Sequence, residues 1–253
     1  MPNSSKFDGD FYDADYFENG KVSGKGWLMN YKWMPRRSFK EAFAYIDHLG
    51  LDHTSHVLDV GCAKGFIVRA LRELEIKADG CDISTYALSF APEGCWNCET
   101  DEAWRQRADV NYTHVLIKDV LEHLTPKQLY GMLSQISQVT SRIMCVIPMG
   151  DNGVYRIREY HTEVSHLIAE NENWWRKAFA KAGWHVIKAC PHVPGLKDNW
   201  QHKANGVGNH VFVLKKKKRT ATLLNPKIRA KVSIKVKAKK LKVKSKLKVK
   251  TKK

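Results

Sequence analysis

The stretch that decides the fold runs from Val57 to Phe66 and reads Val-Leu-Asp-Val-Gly-Cys-Ala-Lys-Gly-Phe. It begins as a short apolar strand, passes through a loop of small residues between Gly61 and Gly65, and opens an amphipathic helix. Small residues let a backbone approach a ligand closely, and the free N–H groups of a helix N-terminus attract negative charge. Asp59 falls at the carboxyl end of the strand, where ligands bind in open α/β sheets. The stretch predicts a ligand-binding turn; a purely structural turn is the alternative.

On both sides of this stretch, strand-like and helix-like segments alternate. Short apolar runs bounded by glycine and polar residues predict strands, and apolar residues at helical spacing predict helices. The predicted strands are 56–60, 78–83, 114–117, 143–147, 184–189 and 209–214, and the predicted helices are 38–51, 66–74, 85–91, 126–139 and 173–182. Such alternation indicates a Rossmann-like α/β sandwich, with a mostly parallel sheet of about seven strands and helices on both faces.

Three regions are predicted along the chain. Residues 1–35 are aromatic and polar, and they form either a cap over the domain or a surface arm. Residues 36–214 contain the alternating segments and form the α/β domain. Residues 215–253 are a lysine-rich tail.

The loop spacing distinguishes two classes of cofactor. A dinucleotide loop, Gly-x-Gly-x-x-Gly, would have Phe66 at its third glycine, where a large side chain blocks packing of the helix on the strand. The spacing acidic-x-Gly-x-Gly-x-Gly fits from Asp59 onward with one change, Ala63. That spacing suits S-adenosylmethionine, which has no pyrophosphate, so the loop must admit only its amino-acid portion and sulfonium. Asp82, at the end of the next strand, can accept both ribose hydroxyls; the alternative is a strand-end cap.

Three motifs, 57–66, 80–88 and 119–124, resemble those of the class I S-adenosylmethionine-dependent methyltransferase family in order and spacing. The resemblance covers roughly residues 36–190 and implies a methyltransferase with S-adenosylmethionine as cofactor. It implies that the methionine portion lies against Asp59, Gly61, Cys62, Ala63 and Gly65. It also implies that ribose binds Asp82, that adenine lies beside Ile83 and Ser84, and that the floor beneath the sulfonium is formed by Lys118, Asp119 and Val120. Glu99 and Asp101 both remain candidates for the adenine amine.

A later element, Glu163 to His166, resembles an acidic-x-x-His segment that faces the substrate in many small-molecule members of the family. His166 is the candidate catalytic base, because imidazole titrates near neutral pH; an orienting or packing histidine is the alternative. His123 follows Glu122 and is expected to steady its loop. Methyl transfer requires mainly alignment and exclusion of water, so no catalytic triad is needed.

Missing motifs narrow the acceptor. Amino-methylating DNA enzymes carry an acidic-or-Asn-Pro-Pro-aromatic turn where this chain has Asp119-Val-Leu-Glu122, and cytosine C5 enzymes need a Pro-Cys pair that is absent here. We therefore expect a small-molecule, sugar or glycan, or lipid-precursor acceptor, methylated at oxygen. A nucleic-acid-directed methyltransferase recruited by the tail is the first alternative, and a non-catalytic binding protein with the same fold is the second.

The cysteines do not predict a metal site. Cys95 and Cys98 form a lone CxxC pair, whereas a zinc site needs about four ligands, usually from two such pairs. We expect no metal and six reduced thiols in a reducing compartment. The chain has no apolar run that could span a membrane, and its beginning lacks the apolar stretch of a secretory signal, so a cytoplasmic protein is expected.

The net charge of +17 comes from the tail. Residues 215–253 hold 19 Lys or Arg and no acidic residue, while the preceding 214 residues hold 24 basic and 26 acidic residues. From Lys240 to Lys252, lysine occupies every even position. Self-repulsion predicts a disordered tail that binds a polyanion, namely nucleic acid, acidic polysaccharide or an anionic membrane surface. A purely solubilising tail is the alternative.

Overall fold

The computed structural model describes residues 7–201, 203–204 and 206–217. The strands in this part of the chain are β1 (His56–Val60), β2 (Lys77–Asp82), β3 (Trp96–Asn97), β4 (His114–Lys118), β5 (Arg142–Pro148), β6 (Gly150–Asp151), β7 (Val154–Tyr155), β8 (Trp184–Cys190) and β9 (Asn209–Lys216). Seven of them form one sheet in the order β3-β2-β1-β4-β5-β9-β8, and β6 and β7 form a separate hairpin. Neighbours in the large sheet are parallel except for β9, which is antiparallel to β5 and β8. The predicted Rossmann-like α/β fold is confirmed.

The α-helices in the described residues are α1 (Ala14–Ser23), α2 (Pro35–Leu49), α3 (Phe66–Glu73), α4 (Thr85–Leu88), α5 (Asp101–Arg105), α6 (Pro126–Val139) and α7 (Glu172–Lys181). The prediction for α6 is confirmed at both ends. Thr125 and Gln128 form a reciprocal capping box at its N-terminus, and Pro126 occupies the first helical position, where its missing N–H has no helical partner to lose.

The sheet separates two apolar cores, and the alternation of side chains along each strand assigns residues to them. Val57 of β1 and Leu116 of β4 pack with α2 and α3 on one face. Leu58 of β1 and Val115 of β4 pack with α6 and α7 on the other. Because both faces of these strands are covered, neighbouring apolar residues such as Val57 and Leu58 follow one another instead of alternating with polar ones.

The register brings the functional segments to one edge of the sheet. Val60 of β1 is level with Cys81 of β2 and with Ile117 of β4. Gly61, which follows β1, therefore meets Asp82 and Lys118, the last residues of β2 and β4, at the carboxyl edge, as the sequence predicts.

Some elements were not predicted. Helix α1 is one of them: it begins after Asp13, whose side chain accepts a hydrogen bond from the N–H of Tyr16, and it is kinked at Asn19. The other missed elements are α5, the hairpin and the two-residue strand β3, which are too short to show a period in the sequence.

At the other end of the chain, β9 continues to Lys216, two residues beyond the predicted end of the last strand. The predicted tail lies outside the described residues from 218 onward. No helix in the described part of the chain is long and apolar enough to span a membrane.

Candidate active site

A large cavity, of about 1100 Å³, opens at the carboxyl edge of the sheet. Ten of the twelve residues predicted for the site line it: Asp59, Gly61, Cys62, Ala63, Asp82, Ile83, Lys118, Asp119, Val120 and His166. The topology thus brings together residues that are more than a hundred positions apart in the sequence.

The other two predicted residues, Gly65 and Ser84, lie just behind the wall. Gly65 has φ +69° at the start of α3, and a side chain there would meet Pro92 at 2.5 Å. Ser84 is fully buried, and its hydroxyl accepts from the N–H of Ala87 and donates to the carbonyl of Tyr12. Both residues shape the wall of the cavity rather than face it.

The glycine loop is held by backbone hydrogen bonds to the neighbouring strand. The N–H groups of Gly61 and Cys62 both donate to the carbonyl of Cys81, at 2.7 and 3.0 Å. Gly61 has φ +77°, and a Cβ there would lie 2.2 Å from Val120. Ala63 also has a positive φ, +49°, although a residue with a Cβ is strained in this conformation. The alanine at this glycine position therefore keeps the backbone shape of the loop.

Asp82 closes the loop from the side of β2. Its Oδ2 accepts from the N–H of Ala63 at 2.7 Å, and its Oδ1 accepts from the N–H of Ser84 at 2.8 Å. Burial raises the pKa of Asp82, and the backbone N–H groups act against that rise. A carboxylate offers about four acceptor positions, so these two bonds leave room for a ligand.

Asp59 lies deep in the wall. Burial raises its pKa to about 7, against the attraction of the nearby Lys118 ammonium. A carboxyl with a pKa near neutral is only partly ionised. A cationic ligand group beside it would favour the ionised carboxylate.

Lys118, Asp119 and Lys197 form a partly buried charge cluster at the end of β4. Asp119 pairs with Lys118 at 3.3 Å and with Lys197. Burial acts to raise the pKa of Asp119, but Lys197 and Lys118 outweigh it and hold that pKa well below its ordinary value. Lys197 also donates to the Tyr160 hydroxyl and to the Asn209 side chain. Nothing in the sequence marked Lys197 as part of the site.

His166 lies beside His123 and Glu122. The two imidazole rings are 4.6 Å apart between centroids, and His166 Nε2 lies 4.0 Å from Glu122 Oε1. Burial lowers the pKa of His166 to about 4. Burial and the nearby His166 ring lower the pKa of His123 to about 3. Burial raises the pKa of Glu122 to about 8, with a smaller contribution from Asp119. Both histidines are thus neutral at neutral pH. His123 is part of this group rather than only a support of its loop.

The aromatic N-terminal segment forms another wall of the cavity. Tyr12, Tyr16 and Phe17 line it, and the Tyr12 hydroxyl lies 3.4 Å from His123 Nδ1. Trp27, from the same segment, packs edge-on against Trp200 at 5.6 Å between ring centroids. The density of aromatic residues was the only sequence signal for this wall.

The two candidates for the adenine amine differ in position. Glu99 lines the cavity, whereas Asp101 lies in the first turn of α5 and accepts from the Gln135 side chain. Of the two residues, Glu99 is therefore the one placed to meet a ligand.

Comparison with known proteins supports the fold. No protein-family profile matches the chain, and no curated protein matches its sequence. Among solved structures, it is similar to a SAM-dependent methyltransferase from Archaeoglobus fulgidus, with 17% identity, 71% of this chain and 94% of that chain covered, and a TM-score of 0.53. It is similar to a chain of the Haloferax volcanii complex between the Trm112 methyltransferase activator and the putative methyltransferase, with 17% identity, coverage of 84% and 98%, and a TM-score of 0.58.

A third similar structure is magnesium protoporphyrin IX methyltransferase from Synechocystis, solved with bound SAH. The identity is 13%, the coverage is 83% of this chain and 98% of that chain, and the TM-score is 0.53. At this level of identity the similarity concerns the fold. The chain therefore shares its α/β fold with these methyltransferases, and in this chain the antiparallel β9 lies between β5 and β8.

Proposed function

We propose that this protein is an S-adenosylmethionine-dependent methyltransferase that acts on a small-molecule, sugar or lipid-precursor acceptor at an oxygen atom. The observation that carries the proposal is the composition of one cavity, whose walls contain both the glycine loop with Asp82 and the histidine group around His166. Its volume of about 1100 Å³ exceeds the range of about 300–1000 Å³ typical of single-ligand pockets, so cofactor and acceptor fit side by side.

The cofactor would lie along the carboxyl ends of β1, β2 and β4. Asp82 would accept the ribose hydroxyls with the acceptor positions that Ala63 and Ser84 leave free. Asp59 would face the cationic amino group of the methionine portion, which favours the ionised carboxylate. Glu99 and Ile83 would contact adenine, and Lys118 to Val120 would form the floor beneath the sulfonium.

The acceptor would lie between the aromatic wall and the histidine group. Tyr12, Tyr16 and Phe17 offer apolar faces on which a sugar or a flat ring can pack. His166 is neutral because burial lowers its pKa to about 4, and its Nδ1 is held by the Tyr160 carbonyl at 2.9 Å. Its Nε2 then carries a lone pair that can take the proton of an acceptor hydroxyl.

Calorimetry and a methyl-transfer assay test the proposal on the full chain. We expect the protein to bind S-adenosylmethionine and S-adenosylhomocysteine. We also expect it to transfer a labelled methyl group into a fraction of small metabolites or glycans, with a product that is an ether or ester. Absence of cofactor binding would contradict the proposal. Binding without transfer to any fraction would favour the non-catalytic alternative, and transfer only into nucleic acid would favour the alternative recruited by the tail.

A cytoplasmic location is part of the same proposal. All six cysteines are free thiols in the structure, which suits a reducing compartment.

A further inference from the structure

Three ligand-type side chains converge in the cavity. One ring nitrogen of His123, one of His166 and one carboxylate oxygen of Glu122 all lie within 4.8 Å of one another. All three residues line the cavity. The segments that carry them are joined by the backbone, because the N–H groups of Leu167 and Ile168 donate to the Glu122 carbonyl at 2.7 and 3.0 Å. These bonds hold the two segments that carry the three side chains next to each other.

The hydrogen bonds of the two histidines fix which nitrogen each can offer. The Nδ1 of His166 lies 2.9 Å from the Tyr160 carbonyl, which can only accept, so this nitrogen carries the proton. The Ser165 hydroxyl donates to Glu163 at 2.9 Å and so accepts from His123 Nδ1, at 2.8 Å. Each imidazole thus keeps an unprotonated Nε2. Histidines that bind metal ions through one ring nitrogen are oriented in this way, because the N–H of the second ring nitrogen donates to a neighbouring acceptor.

The burial of Glu122 is an independent observation that points to a ligand. Its side chain is 0% exposed, and neither carboxylate oxygen has a hydrogen-bond partner from another residue in the described part of the chain. A buried polar group without a partner is costly, and most such groups in proteins are satisfied. A cation between Glu122 and the histidines would supply the partner.

We propose that Glu122, His123 and His166 bind a first-row divalent transition-metal ion, such as Zn²⁺, within the cavity. Two imidazoles and one carboxylate favour this class over Mg²⁺ or Ca²⁺, which prefer all-oxygen sites. Donor atoms at about 2.1 Å from one tetrahedral ion lie about 3.4 Å apart, so side chains whose donor atoms are now up to 4.8 Å apart would have to move closer together around it. Three protein ligands leave a coordination position open, as in catalytic zinc sites.

The open position gives the ion a role that rests on the proposed function. An acceptor hydroxyl bound to the ion loses its proton more easily, and that proton passes to water. The oxygen then forms a bond to the methyl carbon as the carbon–sulfur bond breaks, and the electron pair of that bond stays on the sulfur, which becomes a neutral thioether. In this arrangement His166 is a ligand rather than a free base.

Titration of tag-free, full-length protein tests the site. The protein is treated with EDTA, exchanged into metal-free buffer and titrated with Co²⁺ by absorption and with Zn²⁺ by calorimetry. We expect one equivalent to bind, with visible d–d bands and without the thiolate charge-transfer absorption that cysteine ligands would add. Glu122→Gln and His166→Ala should each weaken binding by at least about 100-fold, and Ser165→Ala, which loosens His123, by about 10–100-fold. His53→Ala, at an exposed histidine, should bind like the parent.

The outcomes separate this proposal from the proposed function. Each variant is first checked for a parental circular-dichroism spectrum and for binding of S-adenosylmethionine, which should be unchanged in metal-free protein. If the parent binds no stoichiometric ion, or if Glu122→Gln and His166→Ala bind it as the parent does, the metal site is wrong while the cofactor site stands. If metal-free protein methylates the acceptor at the full rate and His166→Ala does not, His166 acts as a free base and the role of the ion is overturned.

Discussion

The N–H of Ala63 donates to Asp82 Oδ2 at 2.7 Å and so ties the glycine loop to the end of β2. The same carboxylate accepts from the N–H of Ser84, at the start of α4. One side chain therefore fixes both backbone segments that would surround the ribose. Asp82 therefore shapes the two backbone segments in addition to its proposed contact with the ribose.

We expect Asp82→Asn to lower the affinity for S-adenosylmethionine at least tenfold. The substitution removes charge-assisted hydrogen bonds, each contributing about 1.5–3 kcal/mol, and it turns an amide donor toward a backbone N–H. Calorimetry measures the change, with the exposed Asp109→Asn as control. An unchanged dissociation constant in a folded Asp82→Asn variant would show that the ribose lies elsewhere.

Gly61 is expected to tolerate no side chain, because a Cβ there would meet Val120 at 2.2 Å. Gly61→Ala should weaken cofactor binding strongly, since the loop and the floor of the site must move apart. The matched control is Gly50→Ala, where φ is +65° but no atom lies within 4 Å of the added Cβ. The control carries only the cost of the left-handed backbone, about 1–2 kcal/mol. If both variants bind the cofactor equally well, contact with Val120 does not constrain the loop.

The sheet and most of the proposed cofactor site can be predicted from the sequence, because their signals lie in short continuous segments. The apolar runs of β1 and β4 are buried on both faces, so their strand character is visible without neighbours. The loop from Gly61 to Gly65 is continuous in sequence, and its small residues carry their own conformational signal.

The acceptor side could not be predicted in the same way. Glu122 and His166 are 44 residues apart, and only the fold places them 4.0 Å from each other. Lys197 adopts φ +54° in a loop and reaches Asp119 through tertiary packing. The sequence around Lys197 contains no motif that would have indicated this contact.

The raised pKa of Asp59 predicts a pH-dependent stability of the cofactor-free protein. Because the folded-state pKa is about 7 and the unfolded value is about 4, the folded protein keeps a proton that the unfolded chain loses between these values. Stability therefore falls as pH rises from about 4 to about 7 and then levels off. The Asp59→Asn variant has no carboxyl to ionise at this position. The difference between its free energy of unfolding and that of the parent should therefore rise by about 2–4 kcal/mol across that window, in favour of the variant.

Urea unfolding at pH 4.5, 6 and 8 measures this difference for Asp59→Asn, with Asp109→Asn as an exposed control. The contributions of other titrating groups cancel in the comparison with the parent. A difference between Asp59→Asn and the parent that stays constant with pH would place the Asp59 carboxyl in a solvated setting.

The last prediction is that the basic tail and the α/β domain are separable. In the sheet, Lys215 of β9 lies opposite Arg142 of β5, and Lys216 lies opposite Trp184 of β8. The cut therefore belongs after Lys217 rather than after the predicted boundary at 214. Truncation there should leave the melting temperature and cofactor affinity nearly unchanged, because exposed charges contribute little to folding. Binding to heparin or RNA should be lost with the tail, and in the full chain it should weaken steeply with salt as bound counterions are released.

A full-length variant with glutamine at every lysine and arginine beyond Lys217 is the matched control, since it keeps the length and removes the charge. It should behave like the truncated protein toward heparin and like the parent toward the cofactor. Methylation of a small acceptor should survive in both. If activity falls in both, mainly through a higher KM, the tail supplies uniform binding energy for a polyanionic acceptor, and the nucleic-acid alternative gains support. If the truncated protein unfolds while the glutamine variant does not, the tail contributes structure to the domain and the two parts are not separable.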